Sequence, residues 1–232
     1  MTQQTLRIPA RFNGPPASGH GGYSAGRVAA LLGDRPVEVT LHAPPPLETE
    51  LRVERDGDGD GVRVLDGETV VASARPADGA ALALTPPGAA VEPAAADAAA
   101  AATPLRAGHP FPTCFGCGFE RPDDDGLGCL PGPLGDGRWA VGWTPSAADP
   151  VLVWAALDCP SSAPVAALGG PPHLLGRLAL RIDRLPAPGA PHAIVSWALA
   201  VDGRKKHSAA ALLDGDGALL AVSRATWIEL RR

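Results

Sequence analysis

Two short stretches of this 232-residue chain carry residue types suited to chemistry on a carbonyl group. The first is Ser18-Gly19-His20-Gly21-Gly22, which opens a predicted helix running from His20 to about Leu32. Glycines at a helix start leave its free N–H groups open to close approach, and the positive end of the helix dipole then favours an anion or a carbonyl oxygen. The second stretch, Asp149-Pro150-Val151-Leu152-Val153-Trp154-Ala155-Ala156-Leu157-Asp158, sets one carboxylate, Asp158, inside an otherwise apolar helical run. Burying it is costly unless it is hydrogen-bonded or catalytic. Bland alternatives stand beside both readings: a glycine loop needed only for turning, and an exposed Asp next to the helix-breaking Pro160.

Other candidates are weaker. Arg204, Lys205 and Lys206 form the one dense basic run; strand alternation would put Arg204 and Lys206 on one face, as a cradle for phosphates or as the charged guard of an edge strand. Cys114 and Cys117, with Cys129 and His109, supply metal-ligand residue types, but a second Cys-x-x-Cys is missing, so a pair of loop thiols is expected and no metal. The formal net charge of −5 argues against a nucleic-acid partner. Absence of a long uncharged apolar stretch argues against a membrane span, and the N-terminal residues lack an apolar signal core. Cytoplasmic location with free thiols is the expectation.

Positioning these residues requires two copies of one unit. Leu6–Phe12 reads as a strand, the first helix follows, and Val37–Leu41, Leu51–Val53 and Val62–Val64 alternate apolar and polar residues as strands. The order recurs with a strand near Trp139–Trp143, a helix from about Pro150, strands near Leu178–Ile182 and Ala193–Val201, and a last hairpin at Asp214–Gly217. Val70-Val71-Ala72-Ser73-Ala74-Arg75 matches Leu219-Leu220-Ala221-Val222-Ser223-Arg224, each after a Leu-Asp-Gly turn. Residues 1–79 and 109–232 are therefore read as the two units, and the Ala/Pro-rich 80–108, with a short helix over Ala94–Ala102, as their connector. Strands gathered around one helix per half give an α+β fold with antiparallel sheets.

Together these residues resemble the hotdog-fold acyl-CoA thioesterases, especially the phenylacetate-pathway type, whose helix begins His-Gly-Gly and carries an Asp nine positions after that His. Here the pattern is divided: the ninth position after His20 is Ala29, whereas Asp158 stands nine after Asp149. Cys114-Phe115-Gly116-Cys117-Gly118 followed by Arg121-Pro122 and Gly126-Leu127 is similar to the opening of many single hotdog units, with an insertion. Gly203-Arg204-Lys205 resembles the approach to the third hotdog strand and Ala225-Thr226-Trp227 the last strand.

The resemblance implies a double hotdog, two curved antiparallel sheets each wrapped around a central helix, with one complete site between the halves and a degenerate mirror site where Asp149-Pro150 faces Ala29. It implies Gly21 as oxyanion donor and Asp158 as the group that activates water. His20 and Gly22 would shape the substrate side, Asn13 would orient water, and Arg204, Lys205 and Lys206 would hold coenzyme A. Pro160 is expected to kink the helix just past Asp158. The implied activity is acyl-CoA thioester hydrolysis with no cofactor beyond the coenzyme A of the substrate; the alternative is a noncatalytic acyl-CoA or acyl-ligand binding protein. The paired Asp and His of hotdog hydratases are missing. Either a monomeric pseudo-dimer or a homodimer satisfies this arrangement.

Overall fold

The computed structural model describes residues 4–57, 60–121 and 125–230; Pro122 of the Arg121-Pro122 motif lies outside the described residues. The first half comprises β1 (Thr5–Leu6), α1 (Gly21–Ala29), β2 (Val37–Leu41), β3 (Leu51–Arg55), β4 (Val62–Asp66) and β5 (Thr69–Pro76). Helix α2 (Pro93–Ala101) follows. The second half comprises β6 (Gly132–Pro133), β7 (Trp139–Trp143), α3 (Pro150–Ala166), β8 (His173–Ile182), β9 (His192–Asp202), β10 (Lys205–Leu213) and β11 (Leu219–Glu229).

All strands join one antiparallel sheet in the order β1-β3-β4-β5-β2-β8-β11-β10-β9-β7-β6. The order within one half repeats in the other, with β7, β8, β9, β10 and β11 in the places of β1, β2, β3, β4 and β5. The halves meet where β2 pairs with β8, Val37 opposite Leu180 and Val39 opposite Leu178, and these four buried residues share the main core with both helices. Alternation along β10 shows how each face is filled: Ala210 and Leu212 point to that core, while Ala209, Ala211 and Leu213 belong to a second cluster on the opposite face.

That second cluster is covered by Ala96 and Ala99 of α2 and by Val91 just before it. Residues 80–108, expected as a plain connector, thus form a packed lid on the outer face of the second half. Small residues are what let α2 seat there: a Cβ at Gly142 would collide with the Asp97 carboxylate and one at Gly132 with the Ala99 carbonyl.

Helix α3 departs from expectation more sharply. It runs unbroken through Pro160 and Pro164. Proline at position 164 has no N–H to give to the Pro160 carbonyl one turn earlier. Ser196 on β9 replaces that bond, its Oγ donating to the Pro160 carbonyl at 2.7 Å. The helix continues because the Ser196 hydroxyl satisfies one carbonyl that proline leaves open and because it is buried on nearly every side.

Candidate functional site

Helices α1 and α3 lie antiparallel and touch at their backbones. A Cβ built on Gly22 would come within 2.5 Å of both the Trp154 carbonyl and the Asp158 Cβ, and one on Gly26 within 3.1 Å of the Val151 Cα. Only glycine permits this approach at Gly22, and the approach delivers Asp158 to the start of α1. There the Gly22 N–H donates to Asp158 Oδ2 at 2.6 Å, a bond between halves 136 residues apart in sequence. Gly21 sits against the same carboxylate, its would-be Cβ 3.1 Å from Oδ2. No described residue accepts from the Gly21 N–H, which is the first amide of the helix.

Asp158 is 3% exposed, and its second oxygen, Oδ1, has no hydrogen-bond partner among the described residues. Burial raises the pKa of this carboxyl to about 6, against the opposing pull of the His20 charge and the Gly22 N–H. Leu175 of β8 packs against Gly21, its Cδ2 2.9 Å from a Cβ built there. A depression of about 250 Å³ is lined by Gly118, Phe119, Arg121, Gly126, Leu127 and Gly128 and borders the cysteine loop.

His20 is the N-cap of α1. Its Nδ1 accepts from the Tyr23 N–H at 3.1 Å, which leaves the ring proton on Nε2. Nε2 lies 3.4 Å from Asp158 Oδ2 and 3.1 Å from Cys159 Sγ. Burial works to lower the pKa of this imidazole, but the charges of Cys114 and Asp158 outweigh it and the net shift is upward. Glycine is required opposite the ring as well: a Cβ at Gly116 would run into His20 Nε2 and come within 2.8 Å of Cys159 Sγ.

The remaining expected site residues are held elsewhere. The Asn13 side chain donates to the carbonyls of Gly14 and Thr113 and accepts from Arg121 at 2.8 Å, so it ties the N-terminal loop to the cysteine loop and keeps one lone pair of Oδ1. Lys206 is buried; its ammonium pairs with Glu229 at 2.9 Å and donates to the carbonyls of Val165 and Gly169 at the end of α3. Cationic groups suit a helix C-terminus, and this one cannot also receive a phosphate. The Arg204 guanidinium, in the turn before β10, donates to the Glu229 carbonyl at 2.7 Å. Lys205 is exposed, and no described residue pairs with its ammonium.

Cysteines regroup too. Cys129 packs into the main core, and its Sγ donates to the Leu127 carbonyl. Its expected place beside Cys114 and Cys117 is taken by Cys159, the residue after Asp158, 3.8 Å from Cys114 sulfur to sulfur. The only sequence signal for this is its position on the helix face next to the carboxylate.

No protein-family model matches this sequence, and no curated protein matches it. Solved structures do. A protein of unknown function with a hot dog fold from Alicyclobacillus acidocaldarius superposes with a TM-score of 0.61 at 13% identity, over 98% of this chain and 93% of that one. The tesB protein of Mycobacterium avium subspecies paratuberculosis gives 0.60 at 10% identity over 98% and 92%. An acyl-CoA thioesterase II, TesB2, from Mycobacterium marinum gives 0.54 at 16% identity over 98% and 93%. The chain has the hotdog fold, in its double form: one continuous sheet with the two helices of its halves packed against each other. No helix among the described residues is long and apolar enough to cross a membrane.

Proposed function

We propose that the protein hydrolyses an acyl-CoA thioester at the junction of α1 and α3. The observation that carries the reading is the 2.6 Å bond from the Gly22 N–H to Asp158, which sets a buried carboxylate from one half at the glycine-lined helix start of the other. In this mechanism Gly22 positions the base and the Gly21 N–H, with the α1 dipole behind it, donates to the thioester oxygen as charge develops there. Asp158 Oδ1, which has no partner among the described residues, takes a proton from the attacking water, which adds to the carbonyl carbon. Collapse of the tetrahedral intermediate breaks the C–S bond, releases the coenzyme A thiolate and leaves the carboxylic acid. Lys205 is the one member of the basic run free to meet a phosphate. The fold neighbours named as an acyl-CoA thioesterase and a tesB protein support this reading.

Leu175, packed against Gly21 where the thioester oxygen would sit, favours a second reading, a binding protein that retains the acyl pocket without turnover. One experiment separates the two. Purified protein and Asp158→Asn are assayed against short, medium, long and aromatic acyl-CoAs, with binding followed separately by calorimetry. Loss of a general base lowers the rate by about 10²- to 10⁴-fold. Hydrolysis by the wild type that falls by that factor in Asp158→Asn, with binding retained, supports the enzyme; binding with no wild-type turnover replaces it with the second reading.

A further inference from the structure

Beside Asp158, and outside the proposed thioester chemistry, three sulfurs and two imidazoles converge. Cys114 and Cys117 come from the loop before β6 and Cys159 from α3; the three pack in one cluster, and the sulfurs of Cys114 and Cys159 lie within hydrogen-bonding reach. Cys114, Cys159 and His20 offer donor atoms that all lie within 4.8 Å of one another. Two sulfur ligands at about 2.3 Å from a tetrahedral zinc ion lie about 3.8 Å apart. The Cys114–Cys159 separation is 3.8 Å, far longer than a disulfide.

The histidines define the kind of site. Both have Nδ1 occupied by a backbone donor, Tyr23 N–H for His20 and Phe111 N–H for His109. Each therefore carries its proton on Nε2, and each Nε2 faces sulfur, His20 toward Cys159 at 3.1 Å and His109 toward Cys117 at 3.4 Å. An N–H aimed at sulfur is best satisfied by a thiolate. Adjacent buried thiolates repel unless a cation sits among them, and the Cys-x-x-Cys spacing is a common zinc-ligand pairing.

We infer that Cys114, Cys117 and Cys159 bind one zinc-class ion as thiolates, with His20 and His109 as N–H donors to the ligand sulfurs and a water in the fourth position. Donors to ligating sulfur orient the ligands and offset the negative charge of a three-thiolate site. Such an ion would fasten the cysteine loop of residues 109–130 to α3 beside the start of α1. Sequence spacing points away from a metal because the third sulfur belongs to no second Cys-x-x-Cys; it is a single residue on the helix.

The test is metal content of the full-length protein purified under reducing conditions after growth with added zinc, followed by cobalt(II) titration of chelator-treated protein. About one zinc per chain is expected, with sulfur-to-cobalt charge-transfer absorption and intense tetrahedral d–d bands on titration. Cys159→Ala and Cys114→Ala should lose both signals, whereas Cys129→Ala, whose sulfur lies in the main core, should keep them. His20→Gln should weaken affinity about tenfold or more while leaving the stoichiometry unchanged. Asp158→Asn should retain the ion, so loss of thioester turnover and loss of metal are separable. Wild-type protein that carries no zinc and gives no cobalt spectrum overturns the proposal, as does mass spectrometry showing a disulfide among the three cysteines as the purified state.

Discussion

The two helix starts of this molecule occupy equivalent places in the duplicated fold and are built oppositely. Helix α1 begins with His20, Gly21 and Gly22, so its Gly21 amide is left without a described acceptor and its flank admits another backbone. Helix α3 begins with Asp149 and Pro150, a side-chain cap and a residue with no N–H to offer. Nine residues on, the pattern reverses: α1 has Ala29 where α3 has Asp158. The packing itself keeps the symmetry, since Gly22 meets Ala155 near one end of the crossing and Gly26 meets Val151 near the other. The architecture is thus repeated, while the carboxylate and the glycine helix start meet at only one of the two equivalent ends.

Substituting the two crossing glycines separates architecture from site. Alanine favours a helix over glycine by about 1 kcal/mol, a gain available at both positions. At Gly22 the new methyl meets the Trp154 carbonyl and the Asp158 Cβ at 2.5 Å, neither of which can yield without moving α3. Overpacking of this kind costs about 1–3 kcal/mol, and Gly22→Ala should sit at the top of that range and displace Asp158. At Gly26 the obstacles are the Trp154 Cβ at 2.8 Å and the Val151 Cα at 3.1 Å, so the clash is milder and partly offset. Urea denaturation should show a loss of about 3 kcal/mol for Gly22→Ala and about 1 kcal/mol or less for Gly26→Ala. Equal losses would mean that the crossing is not tighter at the site end.

A smaller effect tests why α3 tolerates two prolines where α1 has none. Ser196→Ala removes the hydroxyl that serves the Pro160 carbonyl and leaves that acceptor buried without a partner. The expected cost is about 1–2 kcal/mol, read as a lowered urea midpoint with an unchanged slope. Ser196→Thr keeps the hydroxyl and should recover part of the loss. A Ser196→Ala variant as stable as wild type would show that the carbonyl finds another donor.

Much of the site is legible in the sequence because it depends on local chemistry. The His20-Gly21-Gly22 start, the Leu-Asp-Gly turns and the lone Asp158 in an apolar run speak through residue type and short spacing. What stays hidden depends on where distant elements land. Lys206 alternates with Arg204 as read, but Glu229 and the end of α3 lie beneath it, so the ammonium serves a helix terminus. Asn13 is polar and near the glycine loop as read, yet Thr113 and Arg121 arrive from the second half and occupy its carboxamide. Cys159, and not Cys129, joins Cys114 because α3 faces the loop, a fact of packing that no spacing encodes. Pro160 misleads by its residue type: the helix-breaking rule assumes unpaired backbone groups, and Ser196 pairs one.

The smallest expected effect falls on the α3 start. Asp149 Oδ1 accepts from the Val151 N–H at 2.8 Å, and Pro150 takes the position where a missing N–H costs nothing. Asp149→Ala should lower stability by about 1 kcal/mol through loss of the cap, whereas Asp149→Asn, which keeps the acceptor and loses only the charge on the helix dipole, should cost about 0.3 kcal/mol. Added salt should narrow the gap between wild type and Asp149→Asn while leaving most of the alanine loss in place, because screening acts on the charge and not on the hydrogen bond. Thioester turnover should be unchanged in both variants, since nine residues of helix, about 13 Å, separate this cap from Asp158. A fall in turnover with Asp149→Ala at constant fold would mean that the mirror end also takes part, and the division of labour between the two helix starts would have to be redrawn.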